Sequence, residues 1–425
     1  MKTRRVAAAK FFHTVSSCRV CGQVIEDVLA YGDMPLANDL ATDAAAAAAQ
    51  ERFPLTLAFC PQCGLVQLRE TVDPERLFRD YVYLSSNSAS FVAHAGALTR
   101  RLARERGLGA ASLAVEIASN DGYLLQHYVK AGVPVLGIEP ARNIAPIARA
   151  RGVDTMDEFF SSALARRLAA DGRAADVIHA NNVLAHVAEL TDVIAGVAAL
   201  LKPDGIAVVE VPYLFDFLDR LEFDTVYHEH ICYFALTPLV RLFTDSRLQI
   251  CDAERIPVHG GSLRVFARHA QNIPPSPSVA AILADEQRRG VADITTYRRF
   301  ADKVRAFAPI FRDFVRDLRA KGHSVAAYGA SAKGATLVNY CGVGSDLLDF
   351  VADVSPLKQG RVMPGVGIPI VPPSELQTRR PDYVVLLAWN FADEILRQQA
   401  DYLRAGGRFV VPVPHPHVIA GGLPS

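Results

Sequence analysis

The stretch Thr225-Val-Tyr-His-Glu-His-Ile-Cys-Tyr-Phe234 sets two imidazoles and a carboxylate between two phenols in an otherwise apolar run. Such a set can ligate a metal, move a proton, or form a hydrogen-bonded core. The run reads as a buried strand, in which His228 and His230 share one face while Tyr227 and Glu229 point the other way. H-E-x-x-H, which places two metal ligands on one helical face, is not the spacing written here. Taken alone the run favours satisfied core histidines. A cofactor site nearby would favour acid/base chemistry instead.

Zinc has a better home. Cys18-Arg-Val-Cys21-Gly22 and Cys60-Pro-Gln-Cys63-Gly64 are two knuckles whose glycines let backbone amides turn toward sulfur. Four thiolates complete a closed, tetrahedral, structural Zn²⁺ site, which does no chemistry. The insertion between the pairs, including Ala44 to Ala49, is expected to form a helix or loop beside the metal. Cys232, Cys251 and Cys341 stand singly in apolar surroundings and read as buried core thiols.

A cofactor site is written in Val115-Glu-Ile-Ala-Ser-Asn-Asp-Gly122, a strand running through a small-residue turn into a helix expected from Gly122. That geometry presents backbone amides to a ligand, with Glu116, Ala118, Asn120 and Gly122 in the candidate site. Glu139 closes the next strand, where a carboxylate can take both ribose hydroxyls of a nucleoside. Ala118 and Asn120 stand where a dinucleotide fingerprint has glycines, leaving less room for pyrophosphate. S-adenosylmethionine, which carries no phosphate, fits better. Asn181, Asn182 and His186 follow the fourth strand, where ligands of open sheets gather, and Tyr81 lies in the hydroxyl-rich Asp80-Tyr-Val-Tyr-Leu-Ser-Ser-Asn-Ser88.

A second turn, Tyr328-Gly-Ala-Ser-Ala-Lys-Gly334, places Ser331 and Lys333 at a helix start, suited to an anionic phosphate without being a Walker loop. Downstream, Asp353-Val-Ser-Pro-Leu-Lys-Gln-Gly-Arg361 adds Asp353, Lys358 and Arg361 at a strand end. Val115 to Glu139 and Val325 to Asp353 therefore read alike: strand, small-residue turn, helix, strand ending in an acid.

The elements that must hold these groups are those of α/β architecture. From Ser112, strands alternate with helices as in a doubly wound parallel sheet, and after a long helical stretch from about Val279 to Lys321 the pattern begins again. At 425 residues the chain is long enough for two or three domains. Lysine plus arginine equals aspartate plus glutamate at 45 each, without a basic stripe, so a nucleic-acid partner is not expected. The basic start lacks a long apolar segment, and no later stretch is apolar for about eighteen residues. A cytoplasmic protein away from membranes is expected, as a monomer or weak dimer.

With these motifs in order, namely C-x-x-C twice, DYVYLSSNS, EIASNDGYLL, GIEP, YHEHICYF, HGGSLRVF, YGASAKGATLVNYCG and ADVSPLKQGRVMPGVGIPI, the chain resembles the zinc-containing sugar C-methyltransferases of deoxysugar biosynthesis. The resemblance spans nearly the whole chain. It implies a zinc-binding module at 1–75, an S-adenosylmethionine-dependent methyltransferase domain with a helical extension at 76–320, and a Rossmann-like nucleotide-sugar-binding domain at 321–425. It further implies methylation of carbon 3 of a nucleotide-linked, thymidine diphosphate type 4-keto-6-deoxysugar. By motif match His230 is the general base, Tyr227 and Glu229 lie close to the sugar with Tyr81 opposite, and Asn182 and His186 are further active-site positions. A sugar O-methyltransferase and a non-catalytic nucleotide-sugar-binding protein are the alternatives.

Overall fold

The computed structural model describes residues 11–258, 260–270 and 274–421. The chain's first ten residues, and His259 at the head of HGGSLRVF, lie outside the described residues. Two compact units are present: one takes the chain up to Glu26 with Phe59–Asp216 and Ile231–Asp293, the other takes Asp27–Ala58, Phe217–His230 and the chain from Ile294.

The first unit is built on a seven-stranded sheet in the order Leu248–Ile256, Ser262–His269, Leu201–Pro212, Ala175–Asn181, Ala114–Ile117, Val135–Ile138, Thr155–Met156. The last five run parallel. Ala114–Ile117 and Val135–Ile138 are buried at every residue, as strands covered on both faces must be. The sheet's order reverses between Ala114–Ile117 and Ala175–Asn181, and the turn after each opens there. The edge departs from the purely parallel expectation. Ser262–His269 pairs antiparallel with both Leu201–Pro212 and Leu248–Ile256, because a direct hairpin needs no crossover helix. Phe91 from helix Ala89–Arg106 packs with Tyr123, Leu125 and Tyr128 over one side of the sheet.

The second unit holds a six-stranded sheet ordered Ile370–Val371, Val351–Ala352, Val325–Tyr328, Tyr383–Leu386, Arg408–Val411, His417–Ala420, parallel except for its last strand. Its order reverses between Val325–Tyr328 and Tyr383–Leu386. The inter-cysteine insertion does form a helix, Ala44–Ala48, capped by Asp43. It packs against Val362 of the same unit. The long helical stretch is two helices, Pro277–Arg288 and Ile294–Ala320, since Gly290 takes a left-handed φ of 77° and ends the first. No helix among the described residues is long and apolar enough to cross a membrane.

Candidate active site

The histidine-rich stretch is not a strand. A 3-10 turn covers Phe223–Thr225, the chain then reverses with the His230 amide donating to the Tyr227 carbonyl at 2.8 Å, and only Cys232–Tyr233 is extended. Apolar neighbours had suggested alternation. Here burial is achieved by a tight turn, so the two imidazoles do not share a face. His228 is buried, donates Nε2–H to the Pro54 carbonyl at 3.0 Å and meets the Phe53 ring edge-on at 5.9 Å. Burial pushes its pKa down to about 4. His230 is half-buried, as is Tyr227. A carbonyl can only accept, so the 2.9 Å contact from Nδ1 to the Thr225 oxygen puts the proton on Nδ1. The Nε2 lone pair then faces the Tyr227 hydroxyl at 2.9 Å, with the two rings 4.2 Å apart. Glu229 is buried and accepts from the Asn38 amide at 2.7 Å, a partner that nothing in the local sequence signals.

In the first unit the small-residue turn takes strained backbone where a fingerprint would have glycine: φ is +52° at Ala118 and +49° at Asn120, as well as +78° at Gly122. The helix begins at Leu125 rather than Gly122, because this turn uses the intervening residues. Glu139 is buried and accepts the Asn120 amide at 2.7 Å and the Ala141 amide at 2.8 Å, so it holds the turn in shape. Desolvation raises its pKa, against the pull of those amides. Asn120 in turn donates to the Tyr83 carbonyl and accepts the Ser85 amide, tying the hydroxyl-rich segment to the turn. Phe78 meets the Tyr81 ring at 5.9 Å and the His186 ring at 5.6 Å, bringing those two together. Asn182 has a left-handed φ of 57° and donates its amide to the Glu210 carbonyl.

Four buried oxygens at this edge of the sheet find no hydrogen-bond partner among the described residues: Glu116 Oε2, Ser119 Oγ, Asp121 Oδ1 and Asn181 Oδ1. A polar group left so costs about 1–3 kcal/mol. S-adenosylmethionine offers an ammonium, ribose hydroxyls and an adenine amino group as donors, so these residues fit it. Glu116 is entirely buried, and desolvation raises its pKa well above the carboxylate range. Asp121 is anchored through its other oxygen by Ser86 and by Arg151 at 2.8 Å, two residues the sequence did not single out.

The second unit repeats the device. Asp353 accepts the Ala330 amide at 2.7 Å and the Ser355 amide at 2.8 Å, the same pair of contacts that Glu139 makes. Ser331 caps helix Ala332–Cys341 by accepting the Gly334 amide, and Lys358 donates to the Ala330 carbonyl at 2.8 Å. Lys333, in the first turn of that helix, has its ammonium 5.2 Å from the centre of the Trp389 ring, and Arg361 is exposed. Trp389 donates to Asp224 at 2.6 Å; neither residue was a sequence candidate, although Trp389 is the chain's single tryptophan.

The knuckles also fold as spaced. Gly22 and Gly64 take left-handed φ of 71° and 77° and donate to Cys18 and Cys60 carbonyls. The sulfurs of Cys18, Cys21, Cys60 and Cys63 all lie within 4.8 Å of one another, against roughly 3.8 Å between thiolates on a tetrahedral zinc, so the four fit the ion. Arg19, between two of them, donates to the Leu68 carbonyl at 2.8 Å and to Thr71 at 2.6 Å, fastening the knuckle to the strands beyond it. Cys232 and Cys341 are core thiols as expected, whereas Cys251 is only half-buried and donates to the Phe266 carbonyl.

Family models match three consecutive stretches: a zinc binding domain at residues 18–78, a methyltransferase domain at 93–251 and a C-methyltransferase C-terminal domain at 257–414. The C-methyltransferase NovU of Streptomyces niveus is 40% identical over 408 residues, 96% of this chain and 97% of that protein. Among solved structures, magnesium protoporphyrin IX methyltransferase from Synechocystis PCC 6803 with bound S-adenosylmethionine is 12% identical, with a TM-score of 0.33 over 42% of this chain and 79% of that one. The PH0226 protein of Pyrococcus horikoshii is 16% identical, with a TM-score of 0.36 over 46% of this chain and 98% of that one. Joined to the four-cysteine cluster and the Rossmann-like sheets, the family models and the likeness to NovU place the chain in the family of S-adenosylmethionine-dependent, zinc-binding C-methyltransferases.

Proposed function

We propose that the chain methylates carbon 3 of a nucleotide-linked 4-keto-6-deoxysugar, with His230 as the base. The observation that carries this reading is the fixed tautomer of His230: Nδ1–H is spent on the Thr225 carbonyl, which leaves Nε2, on a half-exposed ring, as the basic nitrogen, accepting the Tyr227 hydroxyl that substrate would displace. His228, the other candidate, has its Nε2 committed to Pro54 inside the core. A ketone at carbon 4 acidifies the carbon 3 proton, and Nε2 removes it to give an enolate. Tyr227, freed once Nε2 has taken the proton, can donate to the enolate oxygen as its charge develops, and Tyr81 and His186 of the first unit are assigned as further active-site residues. Glu229, braced by Asn38, orients the substrate through a hydroxyl. S-adenosylmethionine supplies the electrophilic methyl group, and Glu116, Ala118, Asn120, Gly122, Glu139, Asn181 and Asn182 are the residues we assign to hold it.

Ser331, Lys333, Asp353, Lys358 and Arg361 are assigned to the nucleotide end, with thymidine diphosphate as the expected carrier. Asp353 and Lys358 shape the loop, and Lys333 offers the charge.

Incubation with a 4-keto sugar nucleotide in deuterated buffer tests the reading. Wild-type protein is expected to exchange the carbon 3 proton and then methylate. His230→Ala is expected to lose both by about 10²–10⁴ in rate while binding both substrates. A sugar O-methyltransferase would exchange no carbon-bound proton. Exchange that survives in His230→Ala and disappears in His228→Ala would overturn the assignment.

A further inference from the structure

Asp224 is wholly buried; its Oδ2 accepts Trp389 Nε1–H at 2.6 Å, while Oδ1 meets no donor in hydrogen-bonding geometry among the described residues. As a structural acceptor this is an inefficient choice. An asparagine would take the same indole hydrogen bond without burying a charge. The charge has a counterpart close by, because the Trp389 ring that Asp224 orients carries the Lys333 ammonium on it, 5.2 Å from the ring centre. Burial raises the Asp224 pKa, and the Lys333 charge pulls it back down, followed by the Trp389 hydrogen bond. Lys333 makes no ion pair within 4.0 Å of any described residue.

The place of these groups in the second unit is informative. Lys333 follows strand Val325–Tyr328 and Trp389 follows strand Tyr383–Leu386, the two strands between which the six-stranded order reverses. Ligands of open parallel sheets bind at such a point. Asp224 is not part of that sheet. It comes from the 3-10 turn Phe223–Thr225, and the very next residue, Thr225, provides the carbonyl that fixes His230. Thr336 of the Lys333 helix also donates to the Val226 carbonyl. One short turn therefore orients an imidazole on one side and an indole with its ammonium on the other.

We infer that Asp224 is a positioning residue for nucleotide recognition: it fixes Trp389 and, across the indole, holds the Lys333 ammonium where it meets the diphosphate of the substrate. The inference rests on the nucleotide-linked sugar reading given above. A buried anion keeps the lysine laid over the ring when the site is empty, so less side-chain freedom is lost on binding. A contact made equally in ground and transition states lowers KM and leaves kcat alone.

The test uses full-length protein, and its readouts separate this inference from the reading beneath it. Thymidine diphosphate is titrated by calorimetry and, in parallel, by fluorescence of the single tryptophan. The expected result is a fluorescence change that tracks calorimetric binding, and none with S-adenosylmethionine alone. Asp224→Asn, which keeps the acceptor and the volume, is expected to raise KM for the sugar nucleotide about tenfold with kcat within about twofold. Its S-adenosylmethionine affinity should be unchanged. Lys333→Met should give the same defect, and the double variant should be no worse than Lys333→Met alone. A kcat defect at unchanged KM, an additive double variant, or nucleotide binding without a fluorescence response would each overturn the role of Asp224. Absence of thymidine diphosphate binding by calorimetry would instead remove the nucleotide-sugar reading itself. Should Asp224→Asn fail to fold, Lys333→Met and the fluorescence titration still decide: a normal KM in Lys333→Met, or a silent tryptophan, overturns the proposal.

Discussion

His228 and His230 are two residues apart and have opposite physical roles. The first is a neutral core imidazole. Burial pushes its pKa down to about 4, against the pull of the Pro54 carbonyl, and burial does the same to His179, whose Nε2 contacts the Tyr128 hydroxyl at 3.0 Å. Unfolded, each would titrate near 6.5, so between about pH 6.5 and 4 the unfolded chain binds the extra protons. The stability these imidazoles contribute is complete above about pH 6.5 and is lost as the pH falls toward 4, on the order of 3 kcal/mol each. Denaturant unfolding is expected to show this loss across pH 7, 6 and 5, and a flat profile would contradict it. His228→Ala should lose roughly 2–4 kcal/mol of stability through the cavity and the abandoned Pro54 carbonyl, while the folded protein still exchanges the substrate proton.

A carboxylate at a strand end that gathers two backbone amides is an element-scale device, and the chain uses it twice. Glu139 serves the turn containing Ala118 and Asn120; Asp353 serves the turn containing Ala330. Each acid joins the end of one parallel strand to the turn after its neighbour, and so fixes the backbone that a ligand would meet. The positive φ at Ala118 and Asn120 would cost about 1–2 kcal/mol at each residue, and such strain persists only when surrounding contacts over-determine it. Replacing either acid by alanine is expected to cost roughly 2–4 kcal/mol, since two amide donors lose their acceptors. The two variants should differ in ligand binding. Glu139→Ala is expected to weaken S-adenosylmethionine binding and Asp353→Ala the binding of thymidine diphosphate, as isothermal calorimetry on each folded variant would show. Exchange of those two phenotypes, or wild-type affinities in both, would break the assignment of the turns.

At the scale of the whole molecule, the four-cysteine cluster is the element that one ion can hold or release. Each chain is expected to carry one Zn²⁺ by metal analysis. A chelator should lower the melting temperature, and Cys63→Ser should lose metal and stability together, because four thiolates crowded within 4.8 Å without an ion repel once ionised. What the sequence determined by itself is what neighbours along the chain determine. The C-x-x-C-G spacing fixes each knuckle, the buried runs at Ala114–Ile117 and Val135–Ile138 fix parallel strands, and small-residue turns followed by an acid fix the two acid-held turns at the strand ends. These depend on local backbone geometry and on burial pattern, and both are legible residue by residue. Tertiary structure alone decided that Thr225 to Phe234 turns instead of extending, since an apolar run can be buried in either form and the Pro54 carbonyl lies 174 residues from the imidazole it holds. It decided that Asn38 braces Glu229 and that Asp224 orients Trp389, pairs separated by 191 and 165 residues. Hydrogen-bond partners so distant in sequence leave no local signature. The list of proton-handling groups was therefore readable in advance, while the choice of which imidazole keeps a lone pair on a half-exposed ring belonged to the fold.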